Sequence, residues 1–153
     1  MTNQDLQWKP NVTVAAVVER DGAFLLVEEQ TTEGVRYNQP AGHLEAGESL
    51  LDAVVRETLE ESAWHFTPTA LIGIYQYHQA QSDITYLRFA FTGDLSDHQP
   101  DRPLDSGILR ALWMPTAEIR ANRKLHRSPL LLQCIEDYLD GRRHPLQLLH
   151  HHK

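Results

Sequence analysis

Apolar side chains recur along this chain in two rhythms, and each rhythm marks its own set of elements. NVTVAAVVE (Asn11 to Glu19) and AFLLVEE (Ala23 to Glu29) are dense in β-branched and apolar residues. Joined by the turn Arg20-Asp21-Gly22, they predict a buried hairpin. TALIGIYQYH, ITYLRFAFTG and ILRALWMP predict three further strands, whereas TTEGVRYNQPAG (Thr31 to Gly42) reads as a loop punctuated by Gly34 and Pro40. After Ser49 the period changes. Leu51, Val54, Val55 and Thr58 stand at i, i+3, i+4 and i+7, the stripe of a helix with one face in a core. With Ser49 as N-cap and Asp52 as capping acid, that helix spans Leu50 to Ser62. Thr116 is expected to cap a short helix ending near Asn122. SPLLLQCIEDYLDG predicts a last helix, with Ser128 as cap, Pro129 in the first turn and Gly141 as stop.

The order β-β-α-β-β-β-α-α predicts an α/β domain, a mixed sheet with helices on both faces. One domain is expected over residues 10–146, with flexible segments at 1–9 and 147–153. His150 to His152 are either metal ligands or a frayed end.

Composition narrows the class. The 153 residues are 41% hydrophobic and 23% charged, which suits one ordinary globular domain. A net charge of −7 argues against a nucleic-acid polymer as partner, but not against a small phosphorylated ligand whose charge cations screen. Cys134 is the lone cysteine, so no internal disulfide can form and a reducing, cytoplasmic setting is expected. MTNQDLQWKP lacks a signal-peptide pattern, and no apolar run reaches the roughly 20 residues needed to span a bilayer, so no membrane partner is expected.

The chemistry concentrates in GHLEAGESLLDAVVRETLEESAW, Gly42 to Trp64. At about 100° per residue, Glu57 and Glu61 stack on one helical face with Glu60 beside them, opposite the Leu51, Val54, Thr58 stripe. Two readings fit those glutamates alone: a solvated acidic face with Arg56 as counterion, or an oxygen cage. The loop ahead favours the cage. Gly42 permits close backbone approach, and Glu45 and Glu48 add carboxylates around the turn at Gly47. Hard cations such as Mg²⁺ or Mn²⁺ select such oxygens.

The segment resembles the Nudix box, G-x5-E-x7-R-E-U-x-E-E-x-G-U, where U is bulky and apolar. Gly42, Glu48, Arg56-Glu57, Thr58, Glu60-Glu61 and Trp64 stand at its fixed positions. Ala63 replaces the family's last glycine, at a cost of up to ~1 kcal/mol if the backbone there is left-handed. The resemblance implies the Nudix fold, an α/β/α sandwich with a mixed sheet and a loop-helix-loop box. It also implies hydrolysis of phosphoanhydrides by water attack at phosphorus. By the same resemblance Glu57, Glu60 and Glu61 bind Mg²⁺, or Mn²⁺, with a main-chain carbonyl near Ala41 or Gly42. Arg56 and Glu48 form a structural pair tying loop to helix. The likeness runs from Pro10 to Leu146 and points within the family to monomeric enzymes. Those act on thiamine diphosphate, its hydroxymethylpyrimidine pyrophosphate precursor, and nucleoside di- and triphosphates. Two alternatives stand beside this: a Nudix pyrophosphatase for ADP-ribose or another nucleotide conjugate, and a catalytically silent regulatory module.

Outside the box, Asp105 in TGDLSDHQPDRPLDSG is either an outside acid or a turn residue. Tyr37 either stacks on a substrate ring or packs in a hairpin. Tyr75 and Tyr77 share a strand face and line either a cleft or a core. Arg88, a charge inside an apolar strand, reaches a phosphate or serves an edge or a salt bridge. Arg36 is a weaker candidate of the same kind.

Overall fold

In the computed structural model, residues 6–153 are described; the first five residues of the expected N-terminal extension lie outside the described residues. Among the described residues, eight strands and three α-helices follow in order: β1 (Asn11–Ala16), β2 (Glu19–Arg20), β3 (Ala23–Thr31), β4 (Gly34–Asn38), β5 (Ala41–His43), α1 (Leu50–Ser62), β6 (His65–Gln79), β7 (Ile84–Ser96), β8 (Ile108–Pro115), α2 (Thr116–Ala121) and α3 (Leu130–Leu139). The strands divide over two four-stranded sheets. One has the order β5-β1-β7-β6, with β1 and β7 parallel and its other pairs antiparallel. In the other, β3 pairs with β2, β4 and β8, all antiparallel.

The long apolar runs exist because these strands are covered on both sides. Leu25, Leu71 and Phe91 pack with Val54 of α1, while their neighbours Phe24, Leu26, Ile72 and Ala90 pack with Leu131, Cys134 and Ile135 of α3. Period-2 alternation therefore sends successive side chains of one strand into two cores. The result is the expected α/β/α arrangement.

α1 has the expected bounds, and the Ser49 hydroxyl accepts from the Asp52 N–H at 3.0 Å. Leu51 and Val55 of the expected stripe are only partly buried, and Ala53 and Ser62 join Val54 and Thr58 on the buried side. The N-cap position of α3 falls on Pro129 and not on the expected Ser128, whose hydroxyl still accepts from the Leu130 N–H at 3.2 Å. Two further expectations change. The stretch from Thr31 to Gly42 is not a loop: it forms β4, paired with β3 through Thr31↔Gly34 to Val27↔Asn38, and most of β5, paired with β1. Thr116 does not cap α2; its hydroxyl donates to the Gly22 carbonyl at 3.1 Å, fastening α2 to the first hairpin instead. At the far end, Leu146 and Leu149 pack against the α1 core.

Candidate active site

α1 places its acids against β5. Glu57 and Glu61 are buried, 8% and 9% exposed, although both carry carboxylates. Burial is possible because a glycine faces them: a Cβ on Gly42 would overlap the Glu57 carboxylate. The Ala41 N–H donates to Glu61 Oε1 at 2.9 Å, so β5 also tethers the second acid.

Arg56 supplies the positive charge and is shared widely. Its Nε and Nη2 donate to the two Glu48 oxygens at 3.0 and 2.7 Å, a bidentate clamp, and Nη2 also donates to the His43 carbonyl. Nη1 donates to Glu57 at 2.8 Å and Glu60 at 3.2 Å, with Glu45 at 3.6 Å. The Arg56–Glu48 pair thus ties loop to helix. The Arg56 hydrogen bonds hold the Glu48 carboxyl below the usual carboxylate range.

Asp105 arrives from the segment between β7 and β8. That segment is pinned to the end of α1: the Asp105 N–H donates to the Glu60 carbonyl and the Gln99 N–H to the Ala63 carbonyl, both at 2.9 Å. His98 stacks on Trp64 with ring centroids 4.3 Å apart. Glu57, Glu60 and Asp105 then each present a carboxylate oxygen, all within 4.8 Å of one another.

One guanidinium cannot neutralise this set. Burial, opposed by Arg56, pushes the Glu57 pKa up. Burial also pushes Glu61 up to about 8; the Ala41 N–H opposes that shift, and nearby Glu57, Glu29 and Asp105 reinforce it. Such a donor set, all oxygen and short of positive charge, fits a hard divalent cation.

The acids open on a cavity of about 400 Å³ whose wall includes Thr13, Glu29, Asn38, Gly42, Tyr86 and Arg88. Of the substrate-contact candidates, Tyr77 lies on that wall, and so does Arg88. It sits in neither an edge strand nor a salt bridge. It is 5% exposed and donates to Gln39 Oε1 at 2.9 Å and Asn38 Oδ1 at 3.0 Å. The other three are placed elsewhere. Tyr75 packs against the α3 core with its hydroxyl donating to Asp137 at 2.7 Å. Tyr37 packs against the same core, its hydroxyl pKa raised by burial and by Glu28. Arg36 turns to the Val35 carbonyl and Glu33. The wall also carries Tyr86 and Arg127, the latter paired with Glu29 at 3.0 Å. Tyr86 was discoverable in sequence, two residues before Arg88 and therefore on its face. Arg127 and Glu29 gave no such signal.

Comparison with known proteins decides the family. A NUDIX domain family matches residues 8–134, most of the chain. The chain is a Nudix hydrolase. This Nudix hydrolase is 41% identical over 142 residues to Phosphatase NudJ of Escherichia coli (strain K12), covering 93% of this chain and 92% of that protein. A NUDIX hydrolase from Nitrosomonas europaea superposes with a TM-score of 0.92 at 52% identity, covering 94% of this chain and 98% of that one. The NUDIX domain of Shewanella oneidensis NrtR, solved with ADP ribose, shares the fold: TM-score 0.71 at 19% identity, over 90% and 91% of the two chains. As a Nudix hydrolase the protein acts on phosphoanhydrides. Among the described residues, no helix is long and apolar enough to cross a membrane.

Proposed function

We propose that this Nudix hydrolase uses Mg²⁺, or Mn²⁺, to cleave small organic di- and triphosphates: thiamine diphosphate, hydroxymethylpyrimidine pyrophosphate, and nucleoside di- and triphosphates. The observation that carries the reading is the convergence of Glu57, Glu60 and Asp105 oxygens within 4.8 Å, around a single shared arginine. We take Glu57 and Glu60 of that converging set as ligands, together with Glu61, which lies outside the set on the wall of the adjoining cavity, and a main-chain carbonyl near Ala41 or Gly42. When bound, the divalent ion neutralises the non-bridging phosphate oxygens and makes a water more acidic.

The chain's own groups do the rest. The Arg56–Glu48 clamp fixes the loop against α1, so the acids are placed before substrate arrives. Arg56 also hydrogen-bonds Glu57 and favours its ionised form. Asp105, held by the Glu60 carbonyl, is positioned to accept the proton of the attacking water. Arg88, desolvated and paired among the described residues with two amides and a thiol, offers its charge to a substrate phosphate. The name Phosphatase NudJ, carried by relatives at 41% identity, supports release of orthophosphate. We also take the enzyme to be a cytoplasmic monomer with residues 10–146 as its catalytic unit.

A phosphate-release screen with Mg²⁺ tests the reading. The panel holds thiamine diphosphate, the nucleoside di- and triphosphates, and ADP-ribose. Metal-stimulated release from the first groups is expected. Preference for ADP-ribose would move the assignment to a nucleotide-conjugate pyrophosphatase, and silence throughout would favour a regulatory module.

A further inference from the structure

Beyond the acid-lined cavity lies a larger one, about 750 Å³, between the β6–β7 hairpin and the start of α3. Tyr77, Gln79, Arg127 and Ser128 line both cavities, so the two share a wall. We propose that the outer chamber holds the organic group of the substrate, a planar hydrogen-bonding ring whose diphosphate reaches through to the acids. This deepens the proposed reaction and rests on it.

The two chambers differ in chemistry. The inner one carries Glu57, Glu61 and Asp105, a surface that welcomes cations and phosphate bridged by them and repels an apolar ring. The outer one has none of these acids. Tyr77 and Leu132 give it apolar faces, and Gln79, Gln133 and Ser128 give it amide and hydroxyl groups. Rings bearing nitrogen and oxygen want that combination: a flat surface to lie on and a few fixed polar partners at the edge. Its formal charges balance, Arg123 and Arg127 against Glu33 and Glu136, and Glu136 is already paired with Arg120 at 2.7 Å. An organic group without phosphates of its own therefore fits better than a second highly charged group.

The shared wall carries one cation. Arg127 sits there with Nη1 3.0 Å from Glu29, itself on the inner wall. A chain of phosphates crossing from ring to acids meets that guanidinium midway. The carboxylates, the arginine and the ring platform thus follow the order in which a ring-bearing diphosphate presents its anhydride, its inner phosphate and its organic group.

Filling the outer chamber tests this. Gln133 is exposed and belongs to the outer lining alone, so Gln133→Trp takes up space there without touching the acids. The readouts are KM for thiamine diphosphate and for each nucleoside triphosphate that the enzyme turns over, beside the inhibition constant of inorganic tripolyphosphate, which has no organic group. Gln133→Trp is expected to raise KM by about tenfold or more for the ring-bearing substrates. The tripolyphosphate constant should move less than about twofold, since only the ring is displaced. Tyr77→Ala should show the same split. Leu139→Trp, which puts the same bulk on exposed α3 surface outside the chamber, leaves both values in place. Unchanged KM in Gln133→Trp and Tyr77→Ala, or KM and tripolyphosphate constants rising together, overturns the proposal. Failure of the underlying reaction looks different: wild-type protein with Mg²⁺ releases no phosphate from any of these compounds.

Discussion

Two helices of this molecule bury carboxylates, and they treat them differently. On α3, Asp137 is 6% exposed and well served: the Tyr75 hydroxyl donates at 2.7 Å, the Gln133 amide at 3.0 Å, and Arg142 lies 3.6 Å away. On α1, Glu61 receives one backbone N–H, and Glu57 shares Arg56 with Glu48, Glu60 and Glu45. A satisfied buried acid is part of the scaffold, whereas acids left short of partners store unfavourable energy that a ligand can relieve. The contrast separates structure from function within a single fold.

Substitutions should widen that contrast, first through activity. Glu57→Gln keeps the shape and removes the charge. Turnover should fall on the order of a thousandfold, while chemical denaturation shows stability within about 1 kcal/mol of wild type, because the amide escapes the desolvation that the carboxylate suffers. Arg56→Met should act on both properties. Removing the shared guanidinium leaves three buried or partly buried carboxylates, Glu48, Glu57 and Glu60, without their counterion, and the loss should be roughly 2–4 kcal/mol of stability along with most activity. On α3 the pattern reverses: Asp137→Asn should cost about 1–2 kcal/mol by removing a charged acceptor, with kcat close to wild type.

The metal-free protein should respond to pH through Glu61. Its folded pKa, near 8, lies above the ordinary carboxyl value of 4.5. A raised acid means that the unfolded chain ionises first, so this group's contribution falls as pH rises from about 4.5 to about 8 and is flat above. Melting without metal should therefore drop across that window, and Mg²⁺ should restore more at pH 8.5 than at pH 6. Equal metal effects at the two pH values would speak against Glu61 as a ligand.

The smallest effect belongs to Ala63. It ends α1 at φ 63°, the left-handed conformation anticipated from its place in the box. Ala63→Gly relieves up to ~1 kcal/mol of backbone strain but exposes a cavity where a buried methyl, worth about 0.8 kcal/mol, had been. The net change in denaturation midpoint should be within experimental reach of zero, and a large loss would show that packing outweighs strain at this cap.

Much of this was written locally in the chain. α1 and β8 have the bounds read from the chain, α1 through its helical period and capping serine, β8 through a short apolar run. β4 escaped because Gly34-Val35-Arg36-Tyr37-Asn38 has no fully buried residue and so no hydrophobic alternation to read. The split into two sheets rests on non-local pairing, β1 with β7 above all, which no local pattern encodes. The acids of α1 share this legibility, since one helix carries them. The substrate wall does not, being assembled from β1, β3, β6, β7 and the approach to α3. Tyr75 and Tyr77 make the point: both lie on one face of β6, yet the first ends under α3 and the second on the cavity wall.

Metal binding itself tests the central claim most directly. Calorimetric titration of Mn²⁺ into wild type and into Glu57→Gln at pH 8 should give saturable binding in the first and at least tenfold weaker binding in the second. Identical isotherms for the two proteins, or none for wild type, would contradict the account.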